Sequence, residues 1–344
     1  AMTLGDSKTA LVLNDHVTLN TAGGALSLNG AINGTAINTQ SLTLNAGAAG
    51  AVSVTGAIGQ STSLNTLTLT HSNGATFNGP VTADTAVVLS NTSVGQTIRF
   101  ANNLSTATLT TTGNGYHVAL VGDSTHVSGA TTFLNTGSVT LGNAAADSLA
   151  FDGGLVATAP SGLSVGGTVS TTNTAMTLGD SNTAMVLNDH VTLNTGNAAL
   201  TLGGVVYGAY DLTLNSTGIT TLSATVGGNG QALTSLTTNA GGSVVINSGS
   251  VSTTGAQTFN DDVLLGNTAH ATVLNTTDSN VFFGAKLNNQ TASAEALTIN
   301  AGTGNVTFTG TVGDAAKIAA LTVNSAGRSE EHTSELQSLA CTSY

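Results

Sequence analysis

Apolar and polar side chains alternate in short runs along almost the whole chain. In Leu297-Thr298-Ile299-Asn300 and Val306-Thr307-Phe308-Thr309, every second residue is apolar and the residues between are Thr or Asn. A period of two puts the apolar side chains on one face of an extended strand and the polar ones on the other. Gly, Ala, Asn and Ser separate the runs, and these residues favour turns. The pattern predicts many short strands, each with one buried and one wet face, and no long helix.

The strands recur. SLTLNAGAAGAVSVTGAIG (Ser41 to Gly59), DLTLNSTGITTLSATVG (Asp211 to Gly227) and ALTINAGTGNVTFTGTVG (Ala296 to Gly313) share one plan, a Leu-Thr-apolar-Asn strand, a small-residue turn and a second alternating strand. Asn300 to Asn324 and Asn215 to Asn239 are each 24 residues, and Leu42 to Leu67 is 25. A longer repeat lies over this one: Ala1–Thr21 returns as Ala175–Thr195, offset by 174, with only Lys8/Asn182 and Leu11/Met185 different. The match continues more loosely, so that residues 1–34 correspond to 175–208. Seven units of about 25 residues would account for the offset, which predicts that the long repeat holds a whole number of short ones.

A single unit of this size cannot bury its apolar face alone, whereas stacked copies form a continuous core. The expected fold is all-β, a right-handed parallel β-helix (β-solenoid) of roughly 24-residue coils with two or three strands each. A second phrase, GATFNGPV (Gly74 to Val81), GATTFLNTGSV (Gly129 to Val139) and GAQTFNDDV (Gly255 to Val263), predicts Phe77, Phe133 and Phe259 as inward plugs. Tandem immunoglobulin-like sandwiches need a longer period and a Trp or Tyr core. A coiled-coil stalk needs apolar heptads, which are absent.

Composition narrows the function. Of 344 residues, 17 are acidic and 5 basic, a net charge of −12 that leaves little to neutralise phosphates and excludes binding to nucleic acid or an anionic membrane through a basic face. At 40% hydrophobic and 6% charged, the chain does not resemble a disordered one. No run of 18 apolar residues is present, so no transmembrane helix is expected. Residues 1 to 30 lack the basic and apolar regions of a signal peptide.

Both ends read as interrupted. The first copy of the long repeat begins at Ala1 without the strand-like sequence that precedes the second copy. After Gly327 the composition changes abruptly, and three of the four Glu residues and the lone Cys341 lie in the last 17 positions. Arg328–Ser338, RSEEHTSELQS, resembles the in-frame translation of a short-read sequencing adaptor. The expectation is a single solenoid array over 1–327, truncated at both ends, with 328–344 an artefactual tail that packs nowhere.

Candidate chemistry is thin. The histidines are His16, His71, His117, His126, His190, His270 and His332, of which His16 and His190 share one repeat position in NDHVTLN. The neighbours Asp15-His16 and Asp189-His190 read as surface turns with side chains directed apart. His117 and His126, with Asp123 between them, do not have a zinc spacing. Before the tail, Asp261-Asp262 is the only adjacent carboxylate pair, and alternation separates it. Lys8, Arg99, Lys286 and Lys317 are too few for a cationic sugar subsite. The tandem Gly-Gly-x-Gly-x-Asp repeats of calcium-loaded β-rolls are missing. The strand-end Asn residues read as turn formers or coil-to-coil ladders, and exposed Thr rows would need regular Thr-x-Thr ranks to bind carbohydrate or ice. No catalytic, cofactor-binding or metal residue is assigned, and no cofactor is expected.

The repeats SLTLNAG, ALTINAGTGNVTFTGTVG, GAQTFNDDVLLGN and ALTVNSAG resemble the β-strand repeats of bacterial surface proteins of the filamentous haemagglutinin-like adhesin group, over nearly all of residues 1–327. The resemblance implies a right-handed β-helix in a long passenger region, exported by type V secretion through a two-partner or autotransporter route. It also implies a place at the bacterial cell surface and a role in adhesion or biofilm formation. The expected function is a non-enzymatic structural or adhesive segment. Its partners would be host-surface or matrix glycans or proteins, or neighbouring cells, with no nucleic acid and no membrane insertion. The alternative is a carbohydrate-active β-helix enzyme, a polysaccharide lyase or hydrolase, which a large insertion carrying convergent Asp, Glu or Arg would favour.

Overall fold

A computed structural model describes residues 1–266, 271–291, 295–327 and 329–331, the last three by their backbone alone. These residues form strands and turns and no helix, and hence none long and apolar enough to cross a membrane. They are grouped in two compact units, Ala1–Thr172 and Asn173–Tyr344, with the boundary just before the second copy of the long repeat. In each unit the chain winds as a parallel β-solenoid.

Each coil of the first unit presents three faces, held by short strands, by a longer strand that covers two faces such as Val81–Leu89, or by a single bridging residue such as Ile58. On the first face, Met2–Leu4, Leu26–Leu28, Val52–Val54, Ala75–Phe77, Thr97–Phe100, His117–Leu120 and Val139–Leu141 pair in turn, all parallel. The second face begins with Leu11–Leu13 on Ile32–Gly34, and the third with Val17–Asn20 on Leu42–Asn45. The second unit repeats the scheme from Met176–Leu178 on Leu200–Leu202, Met185 on Val206, and Val191 on Leu212. Two or three strands per coil is the expected number: the coil of Leu26–Leu28, Ile32–Gly34 and Leu42–Asn45 has three, whereas that of Ala75–Phe77 and Val81–Leu89 has two.

Coil length varies more than the repeats suggest. Met2 pairs with Leu26 and Leu26 with Val52, steps of 24 and 26, but Ile98 to Val118 and Val118 to Val139 take 20 and 21. Seven steps therefore carry Met2 only to Leu163, or 161 residues, and the expected whole number of coils in 174 is not met on this face. The ladder fixes the strands, whereas the corners shorten freely because they face water.

The alternation itself is as expected. Leu212, Leu214 and Ile299 are fully buried and Leu297 is 1% exposed, while Thr298 between them is half-buried. Phe77, Phe133 and Phe259 are fully buried, but they are not one position of one ladder. Phe77 stacks on Phe100 with centroids 4.7 Å apart, Phe133 meets Phe151 edge-on at 6.4 Å, and Phe259 begins a stack through Phe283 to Phe308 at 5.3 and 4.8 Å. The two copies of the long repeat fold alike locally: Asp6 bridges Thr9 and Asp180 bridges Thr183. In both, the next coil passes so close that a Cβ on Gly30 or Gly204 would strike the carbonyl of Thr9 or Thr183.

The tail departs from expectation at its start. The backbone of Ser329–Glu331 adds a parallel strand to Val306–Phe308. Ladder hydrogen bonds involve only backbone groups, so an open sheet edge accepts an extended segment whatever its side chains. Residues 332–344, with His332 and Cys341, lie outside the described residues, as does His270.

Candidate functional site

The outward side chains link coil to coil. His126, on Ser124–Val127, places Nε2 2.8 Å from Asp152 Oδ2 one coil on, and the Thr172 hydroxyl of the following coil donates to Asp152 Oδ1 at 2.9 Å. The ring and the hydroxyl hold the Asp152 carboxyl below the ordinary aspartate range. In the second unit His190 Nδ1 lies 2.9 Å from Asp211 Oδ2, and the Ser235 hydroxyl donates to Asp211 Oδ1 at 2.6 Å. Both arrangements run His, Asp, hydroxyl over three successive coils. A third link joins Lys286 Nζ to Asp314 Oδ2 at 3.0 Å, with the Asn288 amide donating to Asp314 Oδ1 at 3.0 Å. The Thr311 hydroxyl, the Lys286 ammonium and the Asn288 amide hold the Asp314 carboxyl well below its usual range.

The remaining histidines are separated. His117 Nδ1 accepts the Ser138 N–H at 2.8 Å, on a different face from His126, so the two are not brought together around Asp123. His16 Nδ1 accepts the Ser41 N–H at 3.1 Å, and Asp15 accepts the N–H of His16 itself at 2.7 Å, as Asp189 does for His190. Asp15-His16 caps a corner, whereas Asp189-His190 lies within the strand Met185–Gly196 and not in the expected turn. The sequence could not show the imidazole links, since their partners stand 21 to 26 residues away at positions set by coil length.

Asp261 and Asp262 diverge as the alternation requires. Asp262 is half-buried and accepts the Lys286 N–H at 3.0 Å, whereas Asp261 is 1% exposed and accepts the Gly242 N–H at 2.7 Å. Burial pushes the Asp261 carboxyl up, against the opposing Gly242 bond, and its Oδ2 has no partner. Lys8, Arg99, Lys286 and Lys317 stand on different coils or corners. Among the described residues, no three His, Cys, Asp or Glu converge as a metal site.

The strand-end Asn residues play both expected parts. Asn300 donates to Asn275 at 2.7 Å and Asn324 to Asn300 at 2.8 Å, a ladder across three coils. Asn20, Asn45 and Asn194 instead accept the N–H two residues on, capping the turn. Left-handed backbone falls elsewhere, at Asn38, Asn173 and Asn229. Thr192, Thr213, Thr237 and Thr258 form one outward row in register, which Phe282 interrupts before Thr307, so the row is a single column without paired ranks. No protein-family model matches the chain, and neither a curated protein nor a solved structure does.

Proposed function

We propose that the chain is a non-enzymatic stalk or surface-contact segment of a large bacterial cell-surface or secreted protein, acting in adhesion or biofilm formation. The observation that carries this role is the use made of the carboxylates. Asp152, Asp211 and Asp314 are each bound on both oxygens by groups of neighbouring coils, an arrangement that ties a stack together and engages these three carboxylates structurally. At 6% charged residues the outward faces are sparsely charged, which suits contact with a glycan or protein surface. Export to the cell surface belongs to the same proposal.

The test has two arms on the purified chain. Immobilised on beads, it should retain bacterial cells or matrix material, and against acidic and neutral polysaccharides it should release no new ends. Reproducible cleavage abolished by Asp152→Asn or Asp261→Asn would overturn the role in favour of a carbohydrate-active enzyme.

A further inference from the structure

The third face of the first unit carries an outward column that runs in register through seven coils, from Thr18 through Thr43, Thr68, Val88, Thr110 and Thr132 to Val156. Each of these side chains is β-branched and carries a γ-methyl, so a methyl recurs at the coil spacing of about 4.8 Å over roughly 29 Å. In the three middle coils Thr66, Ala86 and Thr108 add a second rank beside it. Five large apolar side chains are markedly exposed in this unit, and four of them belong to this face or its corners. Ile37 is 72% exposed on the corner leading in, Val94 82% and Leu134 48% on the corner leading out, and Val156 36% in the column itself. Exposed apolar groups gathered on one surface mark a contact site, whereas scattered ones do not.

Charge is kept off this face. No Asp, Glu, Lys or Arg lies within two residues of any position in the column. Asp15, Asp84 and Asp152 stand on the corner leading in, engaged by the His16 N–H, the Ser63 hydroxyl and the His126 ring. The outward column of the second unit differs on both counts, since Phe282 interrupts it and Asp211 lies two residues from Thr213. We propose that this face of the first unit is where a second copy of the chain docks, face to face about a two-fold axis. Two columns of equal spacing, turned antiparallel, fit methyl between methyl along their whole length, which a partner of another period does not. Each chain carries a net charge of −12, and an uncharged face lets two copies meet without bringing carboxylates together. The pairing rests on the contact role proposed above and names its partner, a chain of the same kind on a neighbouring cell.

Sedimentation of the full chain over a range of concentrations reads this directly. The mass should rise from that of one chain toward that of two, and added salt, which screens the repulsion between acidic copies, should strengthen the association. Thr110 is exposed, so Thr110→Lys leaves the coil intact while placing a charge in the column, and it should weaken the pairing by about tenfold or more. Val88→Thr matches the rest of the column and should keep the pairing. Thr237→Lys makes the same change on the column of the second unit and should leave the pairing as it was. A chain that stays single at every concentration, pairing that salt dissolves, or pairing that survives Thr110→Lys or is lost equally in Thr237→Lys would overturn the proposal. A chain that stays single yet still retains cells on beads would overturn the pairing and leave the contact role standing, whereas loss of both would remove that role as well.

Discussion

At the scale of single residues, the informative positions are those where a polar atom sits in the apolar core. Thr125 lies inward between Leu104 and Leu149, and Thr220 between Leu200 and Val244; both are 1% exposed and neither hydroxyl has a partner. Thr→Val at either keeps the shape and removes an unsatisfied group, so thermal unfolding should show a gain of about 1 kcal/mol. Asp261 is the charged version of the same problem. Its carboxyl is raised in the folded chain, so the fold binds that proton more tightly than the unfolded chain does, and stability falls as pH rises through the carboxylate range. Asp261→Asn keeps the acceptor for Gly242 and should leave the protein at least as stable at pH 7, with that part of the pH slope gone. Asp152 has the opposite sign: its lowered carboxyl lends stability above the ordinary aspartate range, lost as pH falls through its folded value. Asp152→Asn should therefore flatten the acid limb of a pH–stability curve.

At the scale of the strand, face decides tolerance. Leu297→Asp places an unpaired carboxylate in a dry rank between Thr272 and Leu321, and its coil should open or the group should neutralise. Thr298→Asp, on the wet side of the same strand, should change stability by no more than about 0.5 kcal/mol. Phe283→Ala removes the middle ring of a three-ring stack and should cost about 3 to 5 kcal/mol. Hydrogen exchange on each variant would check both size and extent, since the loss should stay near the altered coil. These strands were legible because Leu297, Ile299, Leu212 and Leu214 follow a period that only a half-buried sheet explains. Asn275, Asn300 and Asn324 were legible as a ladder for the same reason. The corners were not: a face carried by Val206–Tyr207 is too short for any period, and Gln257 is buried by bonds to Val251, Thr253 and Asn275, which its own neighbours in sequence do not predict. The link of His117 stayed hidden because it depends on a coil shortened to 21 residues, and that of His126 because Asp152 lies two residues past its register partner Ala150.

At the scale of the whole molecule, stability is a sum over neighbouring coils. Every carboxylate link found, from His126 through Asp152 to Thr172 and from His190 through Asp211 to Ser235, spans adjacent coils of one unit. Load applied along the chain should therefore be met one coil at a time, as suits a stalk. Single-molecule extension of the full chain, held by its two termini, tests this most directly. Coils of about 24 residues should release in repeated steps of roughly 80 Å, the extended length of such a segment. A single rupture that frees a whole unit of some 170 residues at once would contradict a stack of separately held coils, and with it the structural role proposed for the chain.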